Sequence, residues 1–128
     1  MSEKQIEKAI IDYIFLIGGW ATKVQSGAVI KKSKQGKPYK ITLATAGTPD
    51  ILACVNGKFV GIEVKKNQEE VEKWQRYPLG KRGKVLRPDG RTSSQKEQAR
   101  QINNADGVFI LCSSVDEVER DLKTLGII

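Results

Sequence analysis

The segment DILACVNGKFVGIEVK, residues 50–65, contains two apolar, β-prone runs separated by Asn56-Gly57. Asn-Gly between such runs is the strongest short-range signal for a two-residue type I′ turn, and this turn fixes how the two strands pair. It predicts an antiparallel hairpin in which the pairs step outward from the turn as Val55–Lys58, Cys54–Phe59, Ala53–Val60, Leu52–Gly61, Ile51–Ile62 and Asp50–Glu63.

This register places the carboxylates of Asp50 and Glu63 opposite each other, with Cβ atoms roughly 5 Å apart. Lys65 points to the same face as Glu63, because side chains alternate along a strand. Facing like charges destabilise a ladder unless a cation lies between them, and carboxylate oxygens are the ligands that Mg²⁺ and Mn²⁺ prefer. The hairpin therefore predicts a divalent-cation site held by Asp50 and Glu63, with the Val64 carbonyl as a further candidate ligand.

The composition narrows the chemistry. The chain has 128 residues, which is enough for one domain, and it contains two cysteines and no histidine. The lack of histidine excludes histidine-dependent triads and nucleases, and every zinc site that contains histidine. Two cysteines are too few for a four-thiolate zinc site, so any metal is expected to be held by oxygen atoms.

Positive charge dominates and is clustered. The chain has 22 basic and 15 acidic residues, a net charge of +7. Such an excess favours a polyanionic partner, although solubility alone is the plainer explanation. The clustering favours the partner, and we expect two groups of residues to bind nucleic acid: Lys31, Lys32, Lys34, Lys37 and Lys40 in the first, and Lys81, Arg82, Lys84, Arg87 and Arg91 in the second.

The rest of the chain predicts an α/β fold in the order helix, three or four strands, helix, strand, helix. Ser2 and Gln5 form a capping box that opens the first helix, and Thr92 with Gln95 is predicted to form another. Residues 31–38 are predicted to be a basic loop. Because both faces of the hairpin are mostly apolar, we expect both to be covered, with Cys54 in the core.

No apolar run is long enough to span a membrane, and no signal peptide is visible. With two cysteines and nothing secretory in the sequence, a reduced, cytoplasmic setting is expected. No membrane partner is predicted.

The motif Pro49-Asp50, followed thirteen positions later by Glu63-Val64-Lys65, resembles the PD-(D/E)xK nuclease signature. Gly47, the helix of Glu7 and the Thr92-x-x-Gln95 helix narrow this resemblance to the VRR-NUC family, in its small stand-alone, phage-type form. The opening segment IEKAIIDYI…GGWATKVQS also resembles the opening of archaeal Holliday junction resolvases. The resemblance covers most of the chain, and it implies a restriction-endonuclease-like core: a central mixed sheet in αβββαβ order, flanked by helices.

The resemblance also implies roles for particular residues. Asp50 and Glu63 would be the Mg²⁺ or Mn²⁺ ligands, Lys65 the catalytic lysine, and Gln95 the family glutamine. Glu7 would be an accessory acid, whereas its position alone suggests only a solvated acid in the first turns of a helix. The interval from Lys65 to Thr92 is longer than the family pattern, so residues 67–91 are interpreted as a basic insertion within a single domain, 1–128.

The favoured interpretation is a metal-dependent, structure-specific DNA endonuclease that cuts branched DNA such as four-way junctions. A two-fold junction needs two active sites, so a homodimer is expected. Two alternatives stay open at this point. One is a nucleic-acid-binding module without catalysis, and the other is a nuclease for linear duplex DNA or for RNA.

Overall fold

The computed structural model describes residues 1–25, 27–76 and 90–128. It is a mixed α/β structure with four helices, a four-stranded sheet and a separate two-stranded sheet. The elements in chain order are α1 (Glu3–Leu16), β1 (Trp20–Lys23), β2 (Ala28–Lys32), β3 (Pro38–Thr42), β4 (Ile51–Val55), β5 (Lys58–Val64), α2 (Gln68–Arg76), α3 (Gly90–Asn104), β6 (Val108–Cys112) and α4 (Val115–Thr124).

The main sheet has the strand order β1-β4-β5-β6 and is mixed, as predicted. β1 and β4 pair antiparallel, β4 and β5 pair antiparallel, and β5 and β6 pair parallel. In the described residues β2 and β3 pair with each other and not with this sheet. Without them the order is α1, three strands, α2 and α3, β6 and α4, which is the predicted αβββαβ order with one more helix before β6 and one after it.

The central hairpin has the predicted register. Val55 pairs with Lys58, and each further pair follows out to Ile51 with Ile62. Asn56 and Gly57 both have positive φ, 49° and 79°, which is what a type I′ turn requires. The ladder ends one pair earlier than predicted, because β4 begins at Ile51 and Asp50 lies just outside it.

One face of the main sheet packs against α1 and α4 and forms the core. The inward residues of β4 and β5 are Ile51, Ala53, Val55, Val60, Ile62 and Val64, and all are buried. Apolar side chains at helical spacing on α1 cover them, and the predicted capping box fixes the start of that helix: Gln5 N donates to Ser2 Oγ at 3.2 Å, and Ser2 N donates to Gln5 Oε1 at 2.8 Å.

The prediction that both hairpin faces are covered is wrong for the second face. α3 packs there over β5 and β6, where a Cβ on Gly61 would lie 3.1 Å from Ile102 Cδ1. The rest of this face is open: Trp20 on β1 is 53% exposed, and Phe59 is 43% exposed although it lies beside the C-terminal half of α3. Cys54 lies between these two rings and is exposed, so it is not a core residue.

The segment predicted as a basic loop, 31–38, contains a turn over 33–37, as expected, but its ends belong to two strands. β2 and β3, joined by a turn over 33–37, form a ribbon that we call the basic ribbon. Ser33 N donates to Lys37 O at 2.8 Å, and Lys37 N donates to Ser33 Oγ at 3.2 Å, so one serine closes the turn. No helix in the described residues has the length and apolar character needed to cross a membrane.

Candidate active site at the open end of the hairpin

The hairpin and one backbone hydrogen bond bring the two predicted carboxylates together. Because β4 and β5 are antiparallel, β4 begins where β5 ends, and Asp50 therefore lies beside Glu63 and Val64. Asp50 Oδ2 accepts a hydrogen bond of 2.8 Å from Val64 N. This bond replaces the predicted Asp50–Glu63 ladder pair and holds the Asp50 carboxylate at the end of β5.

Glu63 is the most unusual group of the site, because it is a carboxyl that is only 3% exposed. Its Oε1 accepts a hydrogen bond of 3.0 Å from Gln95 Nε2. Its Oε2 is buried and has no hydrogen-bond partner among the described residues. A buried polar oxygen without a partner costs free energy, on the order of 1–3 kcal/mol. A proton shared with the neighbouring Asp50 carboxylate, or a cation between the two, would provide that partner.

The surroundings also disfavour the charge of Glu63. Burial is the main cause, and the neighbouring Asp50 charge adds to it, so that together they raise the pKa of Glu63 from 4.5 to about 9. The positive charges of Lys65 and Arg91 act in the opposite direction and are outweighed. A carboxyl in this setting keeps its proton at neutral pH unless a cation is added beside it.

Lys65 lies next to Glu63, as the alternation of β5 predicted. Its Nζ is 4.0 Å from Glu63 Oε1, and it donates a hydrogen bond of 3.3 Å to Gln95 Oε1. The Lys65 side chain is mostly buried, whereas its backbone N–H donates to Cys112 O at 2.8 Å and so continues the pairing with β6. The Lys65 ammonium is thus held beside the carboxyl pair by its contacts with Gln95 on α3 and Glu63 on β5.

Gln95 connects three side chains of the site, and this corrects the prediction that it belongs to a capping box. α3 begins at Gly90, so Thr92 lies inside the helix and is not its N-cap. Gln95 is 5% exposed, donates to Glu63 and accepts from Lys65. The resemblance, rather than the capping pattern, pointed to the observed location of this glutamine.

Trp74 is a site residue that sequence reasoning missed. Its Nε1 donates a hydrogen bond of 2.8 Å to Gln95 Oε1. The indole stacks on Phe109 with 5.8 Å between ring centroids, and Lys96 Nζ lies 4.8 Å from the ring centroid. One signal was available: an indole N–H on a short helix that packs inward needs an acceptor.

The structure places Glu7 on α1, where its described ion-pair partner is Lys23 and not a member of the carboxyl pair. Glu7 is 6% exposed on α1, and its Oε2 lies 3.0 Å from Lys23 Nζ, within ion-pair distance but outside hydrogen-bond geometry. Lys23 pairs with Ile51, so Glu7 lies below the start of β4 on the α1 side of the sheet. Within residues 1–25, 27–76 and 90–128, no group of three or more His, Cys, Asp or Glu side chains is placed to hold a metal ion.

The predicted nucleic-acid-binding residues fall into two sets. The five lysines of the first cluster are all exposed on the basic ribbon: Lys31 and Lys32 on β2, Lys34 and Lys37 in the turn, and Lys40 on β3. Arg91 is exposed in the first turn of α3. Lys81, Arg82, Lys84 and Arg87 lie outside the described residues, as does most of the second half of the predicted insertion.

Comparisons with family models, with curated proteins and with solved structures find no match to this chain. The nuclease resemblance therefore stays a prediction from the residues of the motif. What the structure adds is the local geometry of those residues.

Proposed function

We propose that this protein is a metal-dependent endonuclease that hydrolyses phosphodiester bonds in DNA, with branched DNA such as a four-way junction as its favoured substrate. One observation carries the proposal. Glu63 is a buried carboxyl with an unpartnered oxygen, next to a second carboxylate and a lysine ammonium. A protein that only binds nucleic acid has no use for this costly arrangement, because facing acids repel a phosphate.

The side chains at the site fit Mg²⁺ or Mn²⁺. Asp50 and Glu63 would hold the cation, with the Val64 carbonyl as a further ligand, since hard cations prefer oxygen. A cation would also provide the positive charge that Glu63 lacks and a partner for its Oε2. Mg²⁺ is often held by only one or two carboxylates, with waters and substrate phosphate oxygens as its other ligands.

Each residue of the site has a role in this proposal. The cation, when bound, polarises the phosphate and lowers the pKa of a water. The Lys65 ammonium orients the attacking water and counters the negative charge that develops on the phosphoryl oxygens. Gln95 holds Glu63 and Lys65 relative to each other through its two amide atoms. The Val64 N–H fixes the carboxylate of Asp50.

The charge distribution supports a DNA substrate. Five exposed lysines lie on the basic ribbon, and phosphate contacts from lysine and arginine provide most of the affinity of proteins for nucleic acid. The αβββαβ order of the main sheet agrees with a restriction-endonuclease-like core, which we include in the proposal together with a homodimer for two-fold junctions.

A substrate panel tests the proposal. Labelled four-way junction, flap, linear duplex and RNA are incubated with Mg²⁺, Mn²⁺ or EDTA, using the wild-type protein, Glu63→Gln and Lys58→Gln. Lys58 is the matched control, because it lies on the same strand at the opposite end from the site. We expect cleavage of the junction by the wild type and by Lys58→Gln, and none by Glu63→Gln or in EDTA.

The panel also separates the alternatives. Binding of the junction without any product, with the wild type behaving like Glu63→Gln, would favour the binding module and contradict the nuclease. Preferential cleavage of RNA or of linear duplex would support metal-dependent phosphodiester hydrolysis and contradict branched DNA as the favoured substrate.

A further inference from the structure

A cleft of about 580 Å³ lies between the basic ribbon and the start of α3. Its walls are formed by Gly27, Ala28, Lys40, Thr42, residues 44–47, Arg91 and Ser94. All of these residues are described by the structure. None of them is a member of the carboxyl pair, so the cleft is a feature separate from the candidate active site.

The pairing within the ribbon shows which lysines face this cleft. Ala28 pairs with Thr42 and Ile30 pairs with Lys40, so these four side chains lie on one face. That is the face that lines the cleft, through Ala28, Lys40 and Thr42. Lys31, which pairs with Tyr39, lies on the opposite face. The ribbon lysines are therefore not equivalent, and Lys40 is the one that lines the cleft.

One wall of the cleft adjoins an element of the candidate active site, the N-terminal part of α3. Ser94 lines the cleft, and the next residue is Gln95, which donates to Glu63. Gly47, also in the wall, packs against the backbone of the same two residues: a Cβ on Gly47 would lie 2.2 Å from Ser94 O and 2.6 Å from Gln95 N. Arg91, which also lines the cleft, precedes Gln95 by four residues on α3, so the two side chains lie on the same face of that helix.

The chemistry of the walls fits a phosphate backbone. Lys40 on the ribbon and Arg91 on α3 contribute positive charge from opposite sides. Much of the remaining wall is small residues, namely Gly27, Ala28, Ala44, Ala46 and Gly47, which let a chain approach closely. The volume lies in the range of about 300–1,000 Å³ that is typical of pockets for one small molecule. This is enough for a nucleotide or two of one strand inside the cleft, whereas a duplex would have to lie across its mouth.

We propose that this cleft binds a single, unpaired nucleic-acid strand, whose phosphates contact Lys40 and Arg91 and whose backbone continues to Asp50 and Glu63. The path of the strand to Asp50 and Glu63 rests on the proposed nuclease function, whereas the binding of a strand in the cleft does not. The proposal predicts that the scissile strand is unpaired next to the cleavage position, so that a junction is cut only where its base pairs open at the branch point. Continuous duplex is then a poor ligand.

Fluorescence anisotropy in EDTA measures this without cleavage. The probes are oligothymidine, oligouridine and a hairpin duplex that carries the same number of phosphates. We expect the single strands to bind about tenfold more tightly than the duplex at moderate salt, where nonspecific duplex binding is weak. A preference between the two single strands assigns the sugar type, and either preference supports the cleft.

Lys40→Ala and Lys58→Ala form the variant pair. Both remove one positive charge, but Lys58 lies five residues along β5 from Glu63, roughly 17 Å away at strand spacing. We expect Lys40→Ala to weaken strand binding about three- to tenfold and to reduce the salt slope by about 0.7. Lys58→Ala should match the wild type. Tighter binding of the duplex, or equal losses from the two variants, would overturn the proposal.

The two proposals fail in different ways. If the wild type cleaves none of the substrates with Mg²⁺ or Mn²⁺ but keeps the strand preference, the nuclease is contradicted and the cleft stands. If it cleaves continuous duplex as well as forked DNA and Lys40→Ala cleaves normally, the cleft is contradicted and the nuclease stands.

Discussion

Trp74 Nε1 donates a hydrogen bond of 2.8 Å to Gln95 Oε1, and this bond decides which way the Gln95 amide faces. With Oε1 occupied by the indole and by Lys65 Nζ, the Nε2 donor points to Glu63 Oε1. α2, which lies outside the nuclease signature, thus orients the glutamine that contacts both Glu63 and Lys65. Trp74 is a positioning residue, since its contact in the site is with Gln95.

Trp74→Phe tests this role, because phenylalanine keeps an aromatic ring to stack on Phe109 and under Lys96 but loses the N–H donor. We expect kcat for DNA cleavage to fall about tenfold, corresponding to about 1.4 kcal/mol in the activation barrier. The Kd for DNA should stay unchanged. Steady-state kinetics measures kcat, and fluorescence anisotropy measures the Kd. Trp20→Phe, which changes an exposed tryptophan outside the described contacts of Gln95, is the control. A parallel loss in both variants would contradict the positioning role.

Asp50→Asn and Asp50→Ala separate the two contributions of this side chain. Asparagine keeps an oxygen that can accept from Val64 N, whereas alanine leaves that N–H without its acceptor. We expect both variants to lose cleavage, since the charge needed for the cation is gone. Only Asp50→Ala should be less stable, by about 1 kcal/mol. Urea denaturation measures the difference, and equal stability of the two variants would show that the Val64 bond contributes nothing.

The free energy of unfolding should depend on pH through Glu63. The pKa of this buried carboxyl is raised from 4.5 to about 9, so the folded state binds its proton more tightly than the unfolded state. The resulting stabilisation is complete below pH 4.5 and is lost as pH rises towards 9. We therefore expect Glu63→Gln to be more stable than the wild type at pH 8 in EDTA, by about 1 kcal/mol or more.

Adding Mn²⁺ in the same assay provides the complementary measurement. A cation between the carboxylates favours their charged forms, so the melting temperature of the wild type should rise with Mn²⁺, and more at pH 8 than at pH 5. Glu63→Gln should respond much less. If the wild type and Glu63→Gln respond equally to Mn²⁺, the two carboxylates are not the binding site.

Gly47→Ala should disturb the site without touching a polar side chain in it. Gly47 has a φ of +82°, and a Cβ there would overlap the backbone of Ser94 and Gln95. The loop before Asp50 would have to separate from α3. We expect a loss of stability of about 1–3 kcal/mol and a loss of cleavage. Gly36→Ala has a similar φ of +79° but open space around the new Cβ, so it serves as the control in thermal melts.

The local features of this fold were predictable from the sequence. The Asn56-Gly57 turn and the register of β4 with β5 follow from a two-residue preference for positive φ and from side-chain alternation. The start of α1 follows from a serine and a glutamine three residues apart. Each of these features depends on residues only a few positions apart in the chain, so the sequence alone predicts it. The closeness of Asp50, Glu63 and Lys65 follows from the register.

Other features depend on how separate elements pack. The sequence did not show that α3 covers only the β5–β6 part of its sheet face, and so Cys54 is exposed where a core residue was expected. The Gln95 contacts and the Asp50–Val64 bond are likewise set by the docking of α2, α3 and the loop at Gly47. Sequence patterns determined the hairpin because its geometry is local. Tertiary structure decided what surrounds Glu63, because burial and pKa depend on residues that are distant in the chain.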